Sequence, residues 1–193
     1  MEYKLDRAMA MTAFFLQKGG GEMNDIKLAK LQYLAERASL ITLAERLTGD
    51  DLVSLEHGPC LSRTVNLETQ KTPNANWRRH FGFRPHSPAQ GTDNTVTLEK
   101  GMDIHEVLSE AEIEILEALW RKFGKMDKWA IKRWCHNNCK EYKEVGADNS
   151  APIQLIDVLL AEGWDQPKAE AHLRDIEYYD SVSEQYGLKE GLA

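Results

Sequence analysis

The chain has 193 residues, 42% of them hydrophobic, and a formal net charge of −7, which suits one well-buried core and falls short of two independent ones. That acidity argues against sequence-independent attraction to nucleic acid, whose phosphates demand a basic face, so nucleic acid is not an expected partner. No stretch approaches the roughly 20 apolar residues that span a bilayer, the N-terminus lacks a continuous signal-type apolar run, and Cys60, Cys135 and Cys139 form an odd set suited to reduced thiols; a cytoplasmic protein with no membrane partner is expected.

In "LDRAMAMTAFFLQKGGG", Leu5, Ala8, Met9, Thr12, Phe15 and Leu16 recur at three-and-four spacing, which predicts a helix stopped by the Gly19–Gly21 run. Asn24 is placed to cap a second helix reaching about Leu47, with Leu28, Leu31, Leu34, Ala35, Ala38 and Leu43 on its apolar face and Gly49 beyond its end. The alternating "LVSLE" predicts a short edge strand, ended by Gly58 and Pro59. From Gln70 to Asp103, Pro73, Pro85 and Pro88 with Gly82, Gly91 and Gly101 exclude a long helix, and "WRRHFGF" and "NTVTLEK" are candidate strands of a small sheet.

Helical periodicity resumes after Ser109. Ser109 and Glu112 have capping-box spacing ahead of a stripe of Ile113, Leu116, Leu119, Trp120 and Phe123. Asp127 is placed to cap "KWAIKRWCHNN", Ser150 and Pro152 to open "APIQLIDVLLAEG", and Asp165 and Pro167 to open a last helix. In that helix Leu173, Ile176, Tyr179, Val182 and Tyr186 fall at helical spacing. The expected fold class is therefore mainly α, a compact helical domain with a small β element. Residues 1–150 form the domain and residues 151–193 an acidic helical extension packed on it. Between Leu160 and Ala193 eight acidic residues stand against three basic ones, so most of the net charge sits there.

"DDLVSLEHGPC" sets His57 directly against a Gly-Pro corner. Such a histidine is either a base or ligand presented on a rigid loop, or part of the architecture. "KLAKLQYLAERASL", "DDLVSLEHGPC" and "ILEALWRKFGKMDKWAIKRWCHNNCKEY" together resemble the Panacea domain of SocA-type antitoxins. In that family a Lys-Leu-x-Lys-Leu-x-Tyr-x-Ala helix leads to a (Tyr/His)-Gly-Pro corner, followed by a Gly-x-x-(Ser/Asp)-x-x-x-Leu segment ending in Thr-His. Lys27, Leu28, Lys30, Leu31, Tyr33 and Ala35 match the first element, His57, Gly58 and Pro59 the second, and Gly124, Trp129 and His136 the third. The likeness runs from about Ala8 to Val145, loosely between Thr69 and Leu108. Cys135 replaces the usual Thr before the His, Tyr142 stands where Trp is common, and Ala38 and Ser39 lack the aromatic often found in the first helix.

The resemblance implies a non-enzymatic antitoxin that neutralises a cognate protein toxin by direct contact, with no cofactor. Its alternative is a proteolytic adaptor that delivers the toxin to a Clp-type protease, or a phage- or mobile-element-encoded interaction protein of the same fold. It also tilts the His57 corner toward architecture, with Gly58 allowing close approach, Pro59 fixing the backbone and His57 hydrogen-bonding inside the fold. The candidate partner-binding residues are Tyr33, His57, Gly58, Pro59 and His136 on the domain and Glu177, Tyr178, Asp180 and Glu184 on the last helix. An acidic, tyrosine-bearing helix suits the basic cleft of a toxin that acts on nucleic acid or nucleotides.

Two competing readings use other residues. Cys135 and Cys139 in "CHNNC", with His136 and the Cys60 of "HGPC", supply soft donors for a Cys-Cys-Cys-His zinc site, or a Cys-His nucleophile. Against both, the spacing is not that of a CxxC knuckle, helical geometry turns His136 about 100° from Cys135, and buried thiols serve as small hydrophobes. Arg121, Lys122, Lys125, Lys128, Lys132 and Arg133, interleaved with Trp120, Trp129 and Trp134, read as a solvated helix face with its tryptophans turned into the core.

Overall fold

Asn24 caps the helix around which the molecule is built: its side chain accepts from the main-chain N–H groups of Ile26 (3.1 Å) and Lys27 (3.3 Å). The computed structural model describes residues 2–147 and 149–186, with the side chains of Asp180, Ser183, Glu184 and Tyr186 outside that description. The first helix, α1 (Leu5–Lys18), is buried continuously from Arg7 to Leu16, and the capped one, α2 (Asp25–Thr42), from Leu28 to Arg37. A helix buried on every side tolerates polar side chains only where each finds a partner. Much of the rest of the chain supplies those partners.

The chain returns from α2 at Thr42, short of the expected Leu47. Glu36, only 1% exposed, accepts from Arg46 Nε at 2.6 Å and from Thr48 N and Oγ1, both at 2.7 Å. This carboxylate folds residues 43–48 back onto the helix and so replaces its last turn.

Two three-stranded antiparallel sheets flank the helices. One pairs β1 (Glu22–Asn24) with a strand near residue 96; the other begins with β2 (Leu52–Leu55) and β3 (Gly58–Leu61), joined by the two-residue turn Glu56–His57. Gly58 and Pro59 therefore open β3 instead of ending the strand pattern. Two short helices follow, α3 (Ser62–Glu68), whose Arg63 and Thr64 N–H groups donate to the Asp50 carboxylate, and α4 (Ala75–His80), where Asn74 caps through Trp77 N at 2.9 Å. "WRRHFGF" is thus a helical turn running into β4 (Phe81–Arg84), which pairs with β5 (Thr95–Leu98) in the order β1-β5-β4.

The capping box at Ser109 forms as expected and opens α5 (Glu110–Phe123), and Asp127 caps α6 (Lys128–Asn138) through Trp129 N and Ala130 N at 2.8 and 2.7 Å. Glu112 does more than close the box, since Arg7 of α1 donates to the same Oε2 at 2.8 Å. Helices α1, α5 and α6 all pack on α2. Residues 151–152 form a strand, β6 (Ala151–Pro152), where a helix start was expected, and it pairs with Val53 and Ser54. Proline lacks an N–H and belongs at such an edge. LVSL is consequently the middle strand of β3-β2-β6, not an edge strand.

The C-terminal segment adds α7 (Leu155–Ala161) and α8 (Gln166–Tyr186), the latter capped by Asp165 accepting from Lys168 N at 2.9 Å. Ile153, Val158, Leu159, Ala169 and Ile176 all join the core. The inward face of α8 runs through Ala169, Leu173 and Ile176; Tyr179, expected on that stripe, is 65% exposed and lies outside the core. No helix among the described residues is long and apolar enough to cross a membrane.

Candidate partner-binding site

The Gly-Pro corner sits directly over α2. Lys30 Nζ, on a side chain 2% exposed as a residue, donates to Pro59 O at 2.8 Å. Gly58 has φ +102°, and a Cβ there would stand 3.0 Å from His136 Nε2 and 3.1 Å from Lys30 Cε. Only glycine lets a lysine from α2 and a histidine from α6 come up under this backbone. The His136 ring packs on Tyr142 with centroids 4.5 Å apart, and Tyr142 Oη donates to Leu55 O at 3.2 Å. Burial, then the positive charges of Lys132 and Lys30, pulls the His136 pKa below its ordinary value, while its buried Nε2 has no hydrogen-bond partner among the described residues. This is the chemistry of a neutral packing histidine.

One turn further along α2, Tyr33 is fully buried and donates to Glu141 Oε1 at 2.6 Å. Arg37 Nε donates to the same oxygen at 2.7 Å, and its Nη2 reaches Glu162 Oε1 at 2.6 Å. Burial and the adjacent Glu141 carboxylate hold the Tyr33 hydroxyl far above its usual range. Losing one member of such a buried charged set costs about 3–5 kcal/mol by leaving the other uncompensated. Tyr33, Gly58 and Pro59 are therefore interior, and His57 is the exposed member of the corner.

Trp129 joins His57 outside. It is 46% exposed, in place of the core position expected for the tryptophans of the basic cluster; Trp120 and Trp134 are half-buried. Trp129 lies in the first turn of α6, edge-on to His57 of the β2–β3 turn, ring centroids 6.3 Å apart at 84°. Lys128 and Lys132 lie over the indole at 5.0 and 5.7 Å from its centroid, and Lys132 Nζ is 3.4 Å from His57 Nδ1. An aromatic anchor ringed by charge is the composition of an interface hot spot.

Beside this platform lies a cavity of about 720 Å³, bounded by the start of α2, by α3 and by the β2–β3 hairpin. Lys30, His57, Cys60 and Glu68 all line it. Cys60 is buried, which pushes its thiol up to about 11 and leaves it neutral. Cys135 and Cys139 are likewise buried free thiols. Among the described residues, no group of three or more His, Cys, Asp and Glu side chains is placed to hold a metal ion.

The acidic helix is elsewhere. The ring of His172 donates to Leu40 O at 2.7 Å, which seats α8 about 15 Å along α2 from Lys30 at the helical rise. Tyr178 is 64% exposed and its ring lies 5.7 Å from that of Tyr179. Glu177 is exposed beside it, while the side chains of Asp180 and Glu184 lie outside the described residues. The candidate residues thus fall into two groups that the fold does not bring together. Sequence reasoning missed Glu68, Glu141 and the Arg37 pair, whose partners stand 36 and 104 positions apart, beyond any local signal.

No curated protein and no solved structure matches the chain. Residues 28–142, more than half of the chain, match the family model described as antitoxin SocA-like, Panacea domain. The match begins in α2, passes through the His57 corner and ends at Tyr142, so it encloses the buried network that ties α2 to the hairpin and α6. On that evidence the chain belongs to the Panacea-domain family of SocA-like antitoxins.

Proposed function

We propose that this protein is the antitoxin of a toxin–antitoxin pair and that it silences a cognate protein toxin in the cytoplasm by binding it directly, without catalysis. Membership of the family over residues 28–142 carries the reading. Exposed aromatic anchors support it: Trp129 beside His57 on one face, and Tyr178 with Glu177 on the acidic helix. Asp180 and Glu184 extend the same acidic charge, which steers a basic partner and raises its encounter rate. Tyr33, Gly58, Pro59 and His136 act from within, by holding the corner that presents His57.

The test is expression of the neighbouring reading frame. Its product is expected to arrest growth alone, to be tolerated with this chain, and to co-purify with it at unchanged abundance. Protection accompanied by disappearance of the toxin, dependent on a Clp-type protease, replaces inhibition with delivery to proteolysis. A neighbour that is harmless alone overturns the reading.

A further inference from the structure

The cavity beside α3 has a floor unlike its walls. Ile26, Ala29, Val65 and Phe83 supply apolar sides, while Glu68 contributes a carboxyl group on a residue only 1% exposed. Its Oε1 accepts from Gln32 Nε2 at 2.5 Å. The charges acting on Glu68 are the carboxylates of Asp25 and Asp50, both of its own sign. Asp50 is itself satisfied by the N–H groups of Arg63 and Thr64, at 2.9 and 2.8 Å. Lys30, which also lines the cavity, is engaged by Pro59 O. A carboxyl group held out of bulk water is stabilised by an arriving charged donor, and burial accordingly pushes Glu68 up to about 8.

We propose that this cavity receives one cationic side chain, an arginine or lysine presented by the bound protein partner, with its methylenes on the apolar walls and its charged end at Glu68. Long basic side chains combine an aliphatic stem with a charged tip, the same division the cavity shows. Three carboxyl groups line the cavity, Asp25, Glu56 and Glu68, against two lysines, Lys30 and Lys71, so the potential favours a cation once Glu68 is ionised. Entry of the cation turns Glu68 into a carboxylate and releases its proton to solvent, so charge balances. The volume of about 720 Å³ exceeds one side chain and leaves room for the backbone that carries it. The partner's identity rests on the antitoxin reading; the chemistry of the cavity does not.

N-acetyl-arginine amide, titrated into the full chain and followed by amide chemical shifts, tests the chemistry directly. Saturable shifts are expected around Ala29, Val65 and Glu68, with the neutral isostere N-acetyl-citrulline amide and the Glu68→Gln variant each binding at least about tenfold more weakly. Ala29→Leu, which fills the cavity and keeps Glu68, is expected to weaken binding as well. No saturable shift at tens of millimolar probe, or equal binding by citrulline or by Glu68→Gln, overturns the proposal. Co-expression separates the two readings: Glu68→Gln at parental abundance is expected to protect cells less well against the neighbouring product. Full protection with no probe binding rejects the cavity alone, and probe binding with a harmless neighbour rejects the antitoxin role alone.

Discussion

A methyl group at Gly58 would press on His136 Nε2 and Lys30 Cε from a backbone already at φ +102°. Gly58→Val adds a β-branched side chain in that conformation, and the backbone strain alone costs about 1–3 kcal/mol. A lower melting temperature or reduced solubility is expected; a variant as stable as the parent that fails to protect cells would make the corner a contact surface instead. Glu68 gives a second residue-scale expectation. Its folded pKa is raised from 4.5 to about 8, so folding favours its protonated form. The stability it supports is complete below pH 4.5, declines as pH rises, and is lost above about 8, with a limiting slope of about 1.4 kcal/mol per pH unit. Glu68→Gln removes the titrating group, and its melting temperature relative to the parent should climb between pH 5 and 9. Parallel pH profiles for the two proteins would show that Glu68 stays ionised in the fold.

At the scale of the elements, α8 turns one face inward and another to solvent. Ala169, Leu173 and Ile176 hold it down, while Glu177, Tyr178 and Tyr179 face outward. Reversing Glu177, Asp180 and Glu184 to Lys is expected to leave the unfolding free energy within about 0.5 kcal/mol of the parent's and to weaken toxin neutralisation, most visibly at low salt. Full protection by the triple variant would move the partner surface to the His57–Trp129 face. The helix boundaries set by local chemistry were legible before the structure: Asn24, Ser109, Asp127 and Asp165 all cap as their side chains predict. What failed was non-local. β3 and β6 are strands because β2 needs partners on both edges, and α2 stops early because Glu36 gathers Arg46 and Thr48. The corner motif suggested a His57 hydrogen-bonded inside the fold, whereas His57 is exposed in the β2–β3 turn, and nothing in it revealed that Tyr33 faces Glu141 and is closed to solvent.

For the whole molecule, residues 151–176 belong to the same core as the family-matched region. β6 pairs with β2, Ile153 N donates to Leu52 O at 2.9 Å, and Glu162 shares Arg37 with Glu141. Ending the chain at residue 150 strips Val158 and Leu159 from the interior and leaves half of the Arg37 arrangement unmade, so an aggregating or strongly destabilised product is expected. Ending it after Tyr178 keeps the inward face of α8 and should preserve the melting temperature; a stable, soluble 1–150 fragment would overturn this view. Trp129 also makes the molecule report on itself. Trp77 is 2% exposed and Trp120, Trp134 and Trp164 are half-buried, so the indole most open to water is the one beside His57. Collisional quenchers will therefore remove the long-wavelength part of the intrinsic fluorescence first. A partner seated over the hairpin will shield that emission and shift it blue, whereas one confined to α8 will leave the Trp129 emission as it was and act on Trp164, which packs on His172 and Lys168.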